Sequence, residues 1–311
     1  MLLEKLITPK PKTTLYFVVF SLIFLTIPII KNHSFDFFNS NQYGLLLFLS
    51  STFFILLHAF GLNNLIYKND VIKKENLIIA TVFVLLNTFN LQASIDLFSS
   101  FLMLFFLNFI LESYQKEYPF NEVFCSSFVL SIIIIISPIM IVMYLLVILS
   151  SLVYSYNNWR SYFVSFLGLS MPLIFYFIFK SITGEKIDLN LMYNLPAISF
   201  KNLEIINLLK SYQKIFIIFG LITFISILEF FNWLYKKSIR SRKSFFVILA
   251  YLILSIIISS FGSSYNWYIL LTPLSIFIAN YFTYTKKRNL ANILFYVFIF
   301  TSFYYRWNIV I

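Results

Sequence analysis

The sequence predicts an all-α, polytopic transmembrane helical bundle of about 11 segments. Of its 311 residues, 60% are apolar and only 11% are charged, whereas charged residues make up about 25% of a typical soluble domain. A soluble chain of this length needs charged side chains over its exterior, so the composition excludes a soluble enzyme and a disordered chain. The apolar runs are continuous rather than alternating, which favours membrane helices over barrel strands.

Eleven apolar runs are candidate membrane segments. The first follows Lys5, Lys10 and Lys12 and leads directly into Lys31-Asn32-His33 without a small-residue cleavage site, so we interpret it as a retained span rather than a signal peptide. The runs are Thr13–Ile30, Tyr43–Asn63, Leu77–Gln92, Leu97–Leu111, Val123–Ile136, Ile139–Tyr156, Tyr162–Phe179, Ile215–Tyr235, Ser244–Ser260, Tyr268–Thr283 and Ala291–Tyr304.

Several of these segments are expected to be short or hairpin-like. The stretch Val123–Tyr156 carries no charge over 34 residues, which as one helix would be about 51 Å long, against a hydrocarbon core of about 30 Å. Pro138 interrupts it near the middle, so we predict two short helices that form a hairpin toward the outside. Leu77–Leu111 has a similar break at Gln92 and Asp96. These four short segments lie in a thinned part of the bilayer or end inside a cavity.

The distribution of basic residues predicts the orientation. With the N-terminus inside, 16 of the 23 Lys and Arg residues fall on inside segments and 7 on outside segments, in accordance with the positive-inside rule. The C-terminus is then outside. We expect one transmembrane domain over residues 1–311, with residues 181–214 as its long periplasmic loop. The net charge of +11 fits contact with anionic membrane lipids and does not require nucleic acid as a partner.

The sequence contains few residues that could carry chemistry within the membrane. It has no phosphate-binding loop, dinucleotide fingerprint or zinc motif, and its two histidines cannot form a multi-histidine metal site. We therefore predict no metal site, and no cofactor is indicated. His58 lies within the second apolar run, where a packed and hydrogen-bonded histidine is a simpler interpretation than a proton carrier.

The predicted outside ends of the segments are the candidate functional surface. Asp36 and Asp96 are the candidate catalytic carboxylates, and Lys31 and Arg306 are the candidate cations for a lipid phosphate. Because these residues lie at the outside ends of different segments, folding can bring them together. The alternative is that each is an ordinary solvated loop residue.

Three sequence pieces carry a resemblance to a known family. They are Leu62–Asn69 with Lys74-Glu75-Asn76, Phe105-Phe106-Leu107 leading to Phe120–Phe124, and Asn158–Ser161 leading to Pro172. Together they resemble a family of uncharacterised polytopic membrane proteins from Bacteroidota, over about residues 10–180. The resemblance implies a Gram-negative inner membrane, so that "outside" is the periplasm. It implies no activity.

A more distant similarity is architectural. Membrane-embedded C-type glycosyltransferases also begin inside, carry an acidic residue on the first outside loop and contain incompletely spanning helices. Because they use polyprenyl-phosphate-linked sugars, the similarity implies such a sugar as a partner. It is a fold-level analogy, and the aspartate-bearing pair typical of that loop is not evident here.

Three hypotheses follow. The first is an envelope protein that binds or processes a lipid-linked precursor at the periplasmic face, in the manner of a glycosyltransferase. The second is a non-catalytic membrane subunit or scaffold with protein partners. A transporter is disfavoured, because the chain has few glycines, no visible internal repeat and no buried relay of charges.

Overall fold

The computed structural model describes residues 2–32, 44–88, 95–184, 204–261 and 267–308. Within these ranges the chain forms twelve α-helices and two short 3-10 helices, and no strand. The α-helices are α1 (Leu2–Ile7), α2 (Pro11–Asn32), α3 (Gly44–Lys68), α4 (Ile78–Leu86), α5 (Ile95–Glu112), α6 (Phe120–Ile136), α7 (Tyr144–Tyr154), α8 (Trp159–Thr183), α9 (Glu204–Trp233), α10 (Ile239–Phe261), α11 (Trp267–Tyr284) and α12 (Arg288–Asn308). The 3-10 helices are Pro138–Met143 and Leu234–Lys236.

The all-α prediction is confirmed, and each of the eleven predicted apolar runs contains a helix. Among the residues that the structure describes, three helical segments are long and apolar enough to cross a membrane: Phe48–Lys68, Trp159–Thr183 and Ile239–Ser260. The predicted loop at 181–214 is partly helical, because α8 continues to Thr183 and α9 begins at Glu204. Residues 185–203 of that loop lie outside the described residues.

The chain divides into two compact units. Unit 1 contains residues 1–97, 203–237 and 271–311, and unit 2 contains residues 98–202 and 238–270. Unit 1 therefore combines the two ends of the chain, whereas unit 2 is formed by its middle.

The break predicted at Pro138 is confirmed. Helix α6 ends at Ile136, and Ser137 takes an extended conformation with φ −140° and ψ 96°. Pro138 then begins the 3-10 helix Pro138–Met143, which leads into α7. A proline has no N–H for the preceding helix and disfavours a helical conformation in the residue before it, which explains why the helix stops at this point. The 3-10 helix and α7 both pack against α6.

Helix α4 is shorter than the apolar run that predicted it. It has nine residues, and all nine are buried. A helix of that length extends about 14 Å and cannot cross a hydrocarbon core of about 30 Å. Instead it packs against α1, α2, α3 and α12 within unit 1, and the Leu77 N–H that precedes it donates to the Leu6 carbonyl at 2.9 Å.

His58 lies in the packed core of unit 1. Its side chain is fully buried, its ring stacks on Phe83 with 4.2 Å between centroids, and its Nε2 lies 3.2 Å from Thr272 Oγ1. These contacts confirm the interpretation of His58 as a packed, hydrogen-bonded histidine.

In unit 2, small side chains allow α6 and α8 to approach each other closely. A Cβ at Gly168 would lie 2.6 Å from the Phe124 carbonyl oxygen and 3.1 Å from Ser127 Cβ. Ser127 and Ser165 are buried near this contact, and Ser165 Oγ is 2.7 Å from Tyr144 Oη. Serine and glycine thus provide the close approach that small residues typically provide between membrane helices.

The opposite side of α8 is apolar and exposed. Its large side chains with more than half of their surface exposed are Trp159, Phe163, Phe166, Ile174, Phe175, Phe179 and Ile182. Soluble proteins rarely expose so many large apolar side chains along one helix.

We predict that Gly168→Ala destabilises unit 2 by about 1–3 kcal/mol, because the added methyl group overlaps backbone that cannot yield without separating α6 from α8. Gly220→Ala is the matched control, since nothing lies within 4 Å of the position where its Cβ would be. Alanine should there be neutral or stabilising. Thermal unfolding in detergent, followed by circular dichroism, measures both variants. Equal effects would contradict the close packing at Gly168.

Candidate functional site

Arg306 is the most deeply buried charged side chain among the described residues. It lies near the end of α12 and only 1% of its surface is exposed. Its Nη1 donates to the carbonyl oxygens of Asn87 and Thr88 at 3.4 and 3.0 Å, and its Nη2 donates to that of Leu25 at 2.9 Å. The guanidinium carbon also lies 5.8 Å from the centroid of the Phe24 ring.

These bonds tie three segments of unit 1 together. Asn87 and Thr88 follow the last turn of α4, where helix carbonyls have no partner within the helix. The negative end of the helix dipole also favours a cation there. A buried guanidinium needs such acceptors, because removing it from water without compensation is strongly unfavourable.

The structure describes the other predicted site residues only in part. Lys31 is in the last turn of α2, the helix whose Leu25 carbonyl binds Arg306. Its side chain is outside the described set, and so is all of Asp36, which follows four residues after Asn32. Asp96 is half-buried in the first turn of α5, where a negative charge interacts favourably with the helix dipole. Whether the four side chains converge stays a prediction.

A second polar cluster, which the sequence analysis did not single out, surrounds Tyr284 at the end of α11. Lys237 Nζ donates to Asn280 Oδ1 at 2.5 Å and lies 4.9 Å from the centroid of the Tyr284 ring. Lys74 Nζ lies 5.8 Å from the same centroid, and the Tyr284 hydroxyl accepts a hydrogen bond from the Lys73 N–H at 3.2 Å. Three segments that the sequence predicts to be inside and basic thus meet at one tyrosine.

Burial alters the titration of this cluster. Burial lowers the pKa of Lys237 to about 7, because it destabilises the charged ammonium relative to the neutral amine. Only the clustering of basic residues was visible in the sequence, since the pairing of Lys237 with Asn280 joins distant parts of the chain.

Arg288 and Arg306 mark opposite ends of α12. The Arg288 guanidinium donates to the carbonyls of Phe282 and Thr283, both at 3.3 Å. The two arginines are about 27 Å apart along the helix axis. The Tyr284 cluster and the Arg306 site are therefore at different ends of unit 1.

In the part of the chain that the structure describes, no group of three or more His, Cys, Asp or Glu side chains is arranged to hold a metal ion. The one cysteine, Cys125, is partly buried and does not form a disulfide.

The chain belongs to a family of unknown function, DUF6427, whose model matches residues 2–311. The match agrees with the expectation of an uncharacterised family and covers nearly the whole chain. No curated protein and no solved structure matches this sequence.

We predict that Arg306→Ala lowers the free energy of unfolding by about 3 kcal/mol, because it leaves buried carbonyls without a donor. Arg288→Ala is the matched control on the same helix. Since Arg288 is only partly buried and its bonds are longer, its loss should amount to about 1 kcal/mol or less. Chemical unfolding in detergent micelles provides the measurement. A larger effect at Arg288 than at Arg306 would contradict this account.

We predict a pH-dependent effect of Lys237→Met. The pKa of Lys237 is about 7 when folded and about 10.4 when unfolded. The unfolded chain therefore binds more protons between these values, and the stability contributed by this site rises with pH across that window. The variant should exceed the wild type in Tm most clearly near pH 7, and the difference should shrink toward pH 10. Exposed Lys236 provides the control Lys236→Met, which should show no such trend.

Proposed function

We propose that this chain is a multi-pass protein of a Gram-negative inner membrane, that of a member of Bacteroidota, and that it binds or processes a lipid-linked precursor at the periplasmic face. The membrane location is supported by three helices long and apolar enough to cross a bilayer and by the exposed phenylalanines of α8. In hydrocarbon such a surface is solvated, whereas in water it would aggregate.

The observation that carries the proposed function is the buried guanidinium of Arg306 at the end of α12. Guanidinium groups recognise phosphate well, because their N–H donors match the spacing of phosphate oxygens. Carbonyls of α2 and of the residues after α4 orient this group in advance. The same segments lead toward Lys31, Asp36 and Asp96, which supplies the second cation and the carboxylates that the proposal requires.

In the enzymatic form of the proposal, a polyprenyl-phosphate-linked sugar is the donor and a hydroxyl group is the acceptor. The carboxylate of Asp36 or Asp96 accepts the hydroxyl proton as the acceptor oxygen bonds to the anomeric carbon. The bond from that carbon to the phosphate oxygen breaks, and the polyprenyl phosphate leaves as an anion held by Lys31 and Arg306. Charge and atoms balance without a metal or nucleotide.

A non-catalytic scaffold is the alternative, and a specific observation favours it. The Nη1 and Nη2 atoms of Arg306 already donate to three carbonyl oxygens, which is sufficient reason for a buried arginine at this position. In that case its role is to hold α2, α4 and α12 together for a protein partner.

We predict that Asp36→Asn and Asp96→Asn lower the amount of transferred sugar at least tenfold without lowering the amount of protein in the membrane, because an amide cannot accept the hydroxyl proton. Cells that lack the chain are complemented with each variant, and their lipid-linked glycans are measured by mass spectrometry. Asp70→Asn is the control, since Asp70 follows α3 at the predicted inside end.

Two outcomes would reject the enzymatic form. If both aspartate variants restore the glycan profile as well as the wild type, the carboxylates are not catalytic and the scaffold hypothesis is favoured. If deletion of the whole chain leaves the glycans unchanged, the proposal that it handles a lipid-linked precursor is wrong.

A further inference from the structure

Unit 1 contains a cavity of about 250 Å³ beside its N-terminal helices. Its apolar wall is formed by Tyr16, Phe17 and Phe20 of α2 and by Ile299 of α12, and its polar end lies at Lys5 of α1. Along α2 the lining extends from Thr13 to Phe20, about 10 Å.

The two threonine hydroxyl groups that line the cavity already have partners. Thr81 Oγ1 donates to the Leu77 carbonyl at 2.8 Å, and Thr13 Oγ1 donates to the Lys10 carbonyl at 2.7 Å. Lys5 supplies the only charge in the lining. It is exposed and forms no hydrogen bond or ion pair within the described ranges. The ligand that fits therefore has an apolar body and one anionic group at its end.

The surroundings of Lys5 strengthen this requirement for a negative charge. Lys10 and Lys12, which connect α1 to α2 and begin α2, are both exposed. The Leu6 carbonyl accepts the Leu77 N–H, which fixes α1 beside the exposed Lys73 and Lys74. The exposed carboxylates of Glu4 and Glu75 lie among these four lysines, so an anionic headgroup at Lys5 would lie in a region where basic residues outnumber acidic ones.

We propose that this cavity binds one acyl chain of an anionic phospholipid, with the lipid phosphate at Lys5. Tyr16 in this wall has 68% of its surface exposed, which gives the acyl chain access from surrounding hydrocarbon, and Lys5 supplies the cation for the headgroup of that lipid. The inference rests on the membrane location proposed above, but not on any activity at Arg306, which lies seven residues beyond Ile299 on α12 and does not line the cavity.

The test uses the full chain, purified in a non-ionic detergent and stripped of lipid. Phosphatidylglycerol and phosphatidylcholine with identical acyl chains are added in separate experiments, and bound lipid is counted by native mass spectrometry. We expect about fivefold tighter binding of phosphatidylglycerol, the effect of one lysine near an anionic headgroup. Oleate is the third probe, because it shares the acyl chain and the negative charge.

Two variants address the two parts of the site. Lys5→Ala should reduce the preference for phosphatidylglycerol to near unity, with Lys180→Ala in unit 2 as the control outside the cavity lining. Ile299→Trp should fill the apolar part and reduce binding of both phospholipids at least tenfold. Its control is Ile293→Trp at an exposed position on the same helix. Circular dichroism of each variant confirms that helix content is retained, and a variant that loses it is replaced by Ile299→Phe.

The outcomes separate this inference from the membrane proposal. The cavity inference alone would be overturned if the chain is found in the membrane fraction and gives one of three results. These are equal binding of both phospholipids, a preference for oleate, or equal responses to the test and control substitutions. A chain that is released from membranes by alkaline carbonate would overturn the membrane location, and the lipid site with it.

Discussion

The architecture of unit 1 depends on the burial of one positive charge. Arg306 is almost completely excluded from solvent, so it must be compensated by acceptors that are themselves fixed in space. Those acceptors are backbone carbonyls of α2 and of the residues after α4. A helix of only nine residues has weak positional preferences of its own. The guanidinium and the surrounding apolar side chains therefore determine together where α4 ends.

In unit 2, small residues allow two helices to pack closely. Gly168 lets α8 approach the backbone of α6, and most of the buried serines beside it donate their hydroxyls to carbonyls one turn earlier in their own helices. These local bonds satisfy the hydroxyl groups while adding little bulk to the interface. The chain needs few glycines because serine serves much of the same purpose, so a low glycine count is a weak argument against closely packed membrane helices.

Hydropathy and proline placement predicted the helices well, because both act locally. The eleven apolar runs, the break before Pro138 and the packed state of His58 all depend on the chemistry of neighbouring residues. The length of α4, the partners of Arg306 and the pairing of Lys237 with Asn280 were not predictable in this way. Each depends on contacts between residues more than 40 positions apart, and hydropathy carries no information about which segments become neighbours. Charge counting drew attention to Arg306, but it could not distinguish an exposed interfacial arginine from a buried one.

Unit 1 is built from segments that are far apart in the sequence, and this has a consequence for biosynthesis. Its N-terminal helices leave the ribosome long before α12, while the intervening residues 98–202 and 238–270 assemble into unit 2. During that interval the carbonyls at the end of α4 await a donor that is synthesised more than 200 residues later. A helix made late thus completes a part of the molecule that was made early, and a chain truncated before Arg306 leaves that part open to proteolysis.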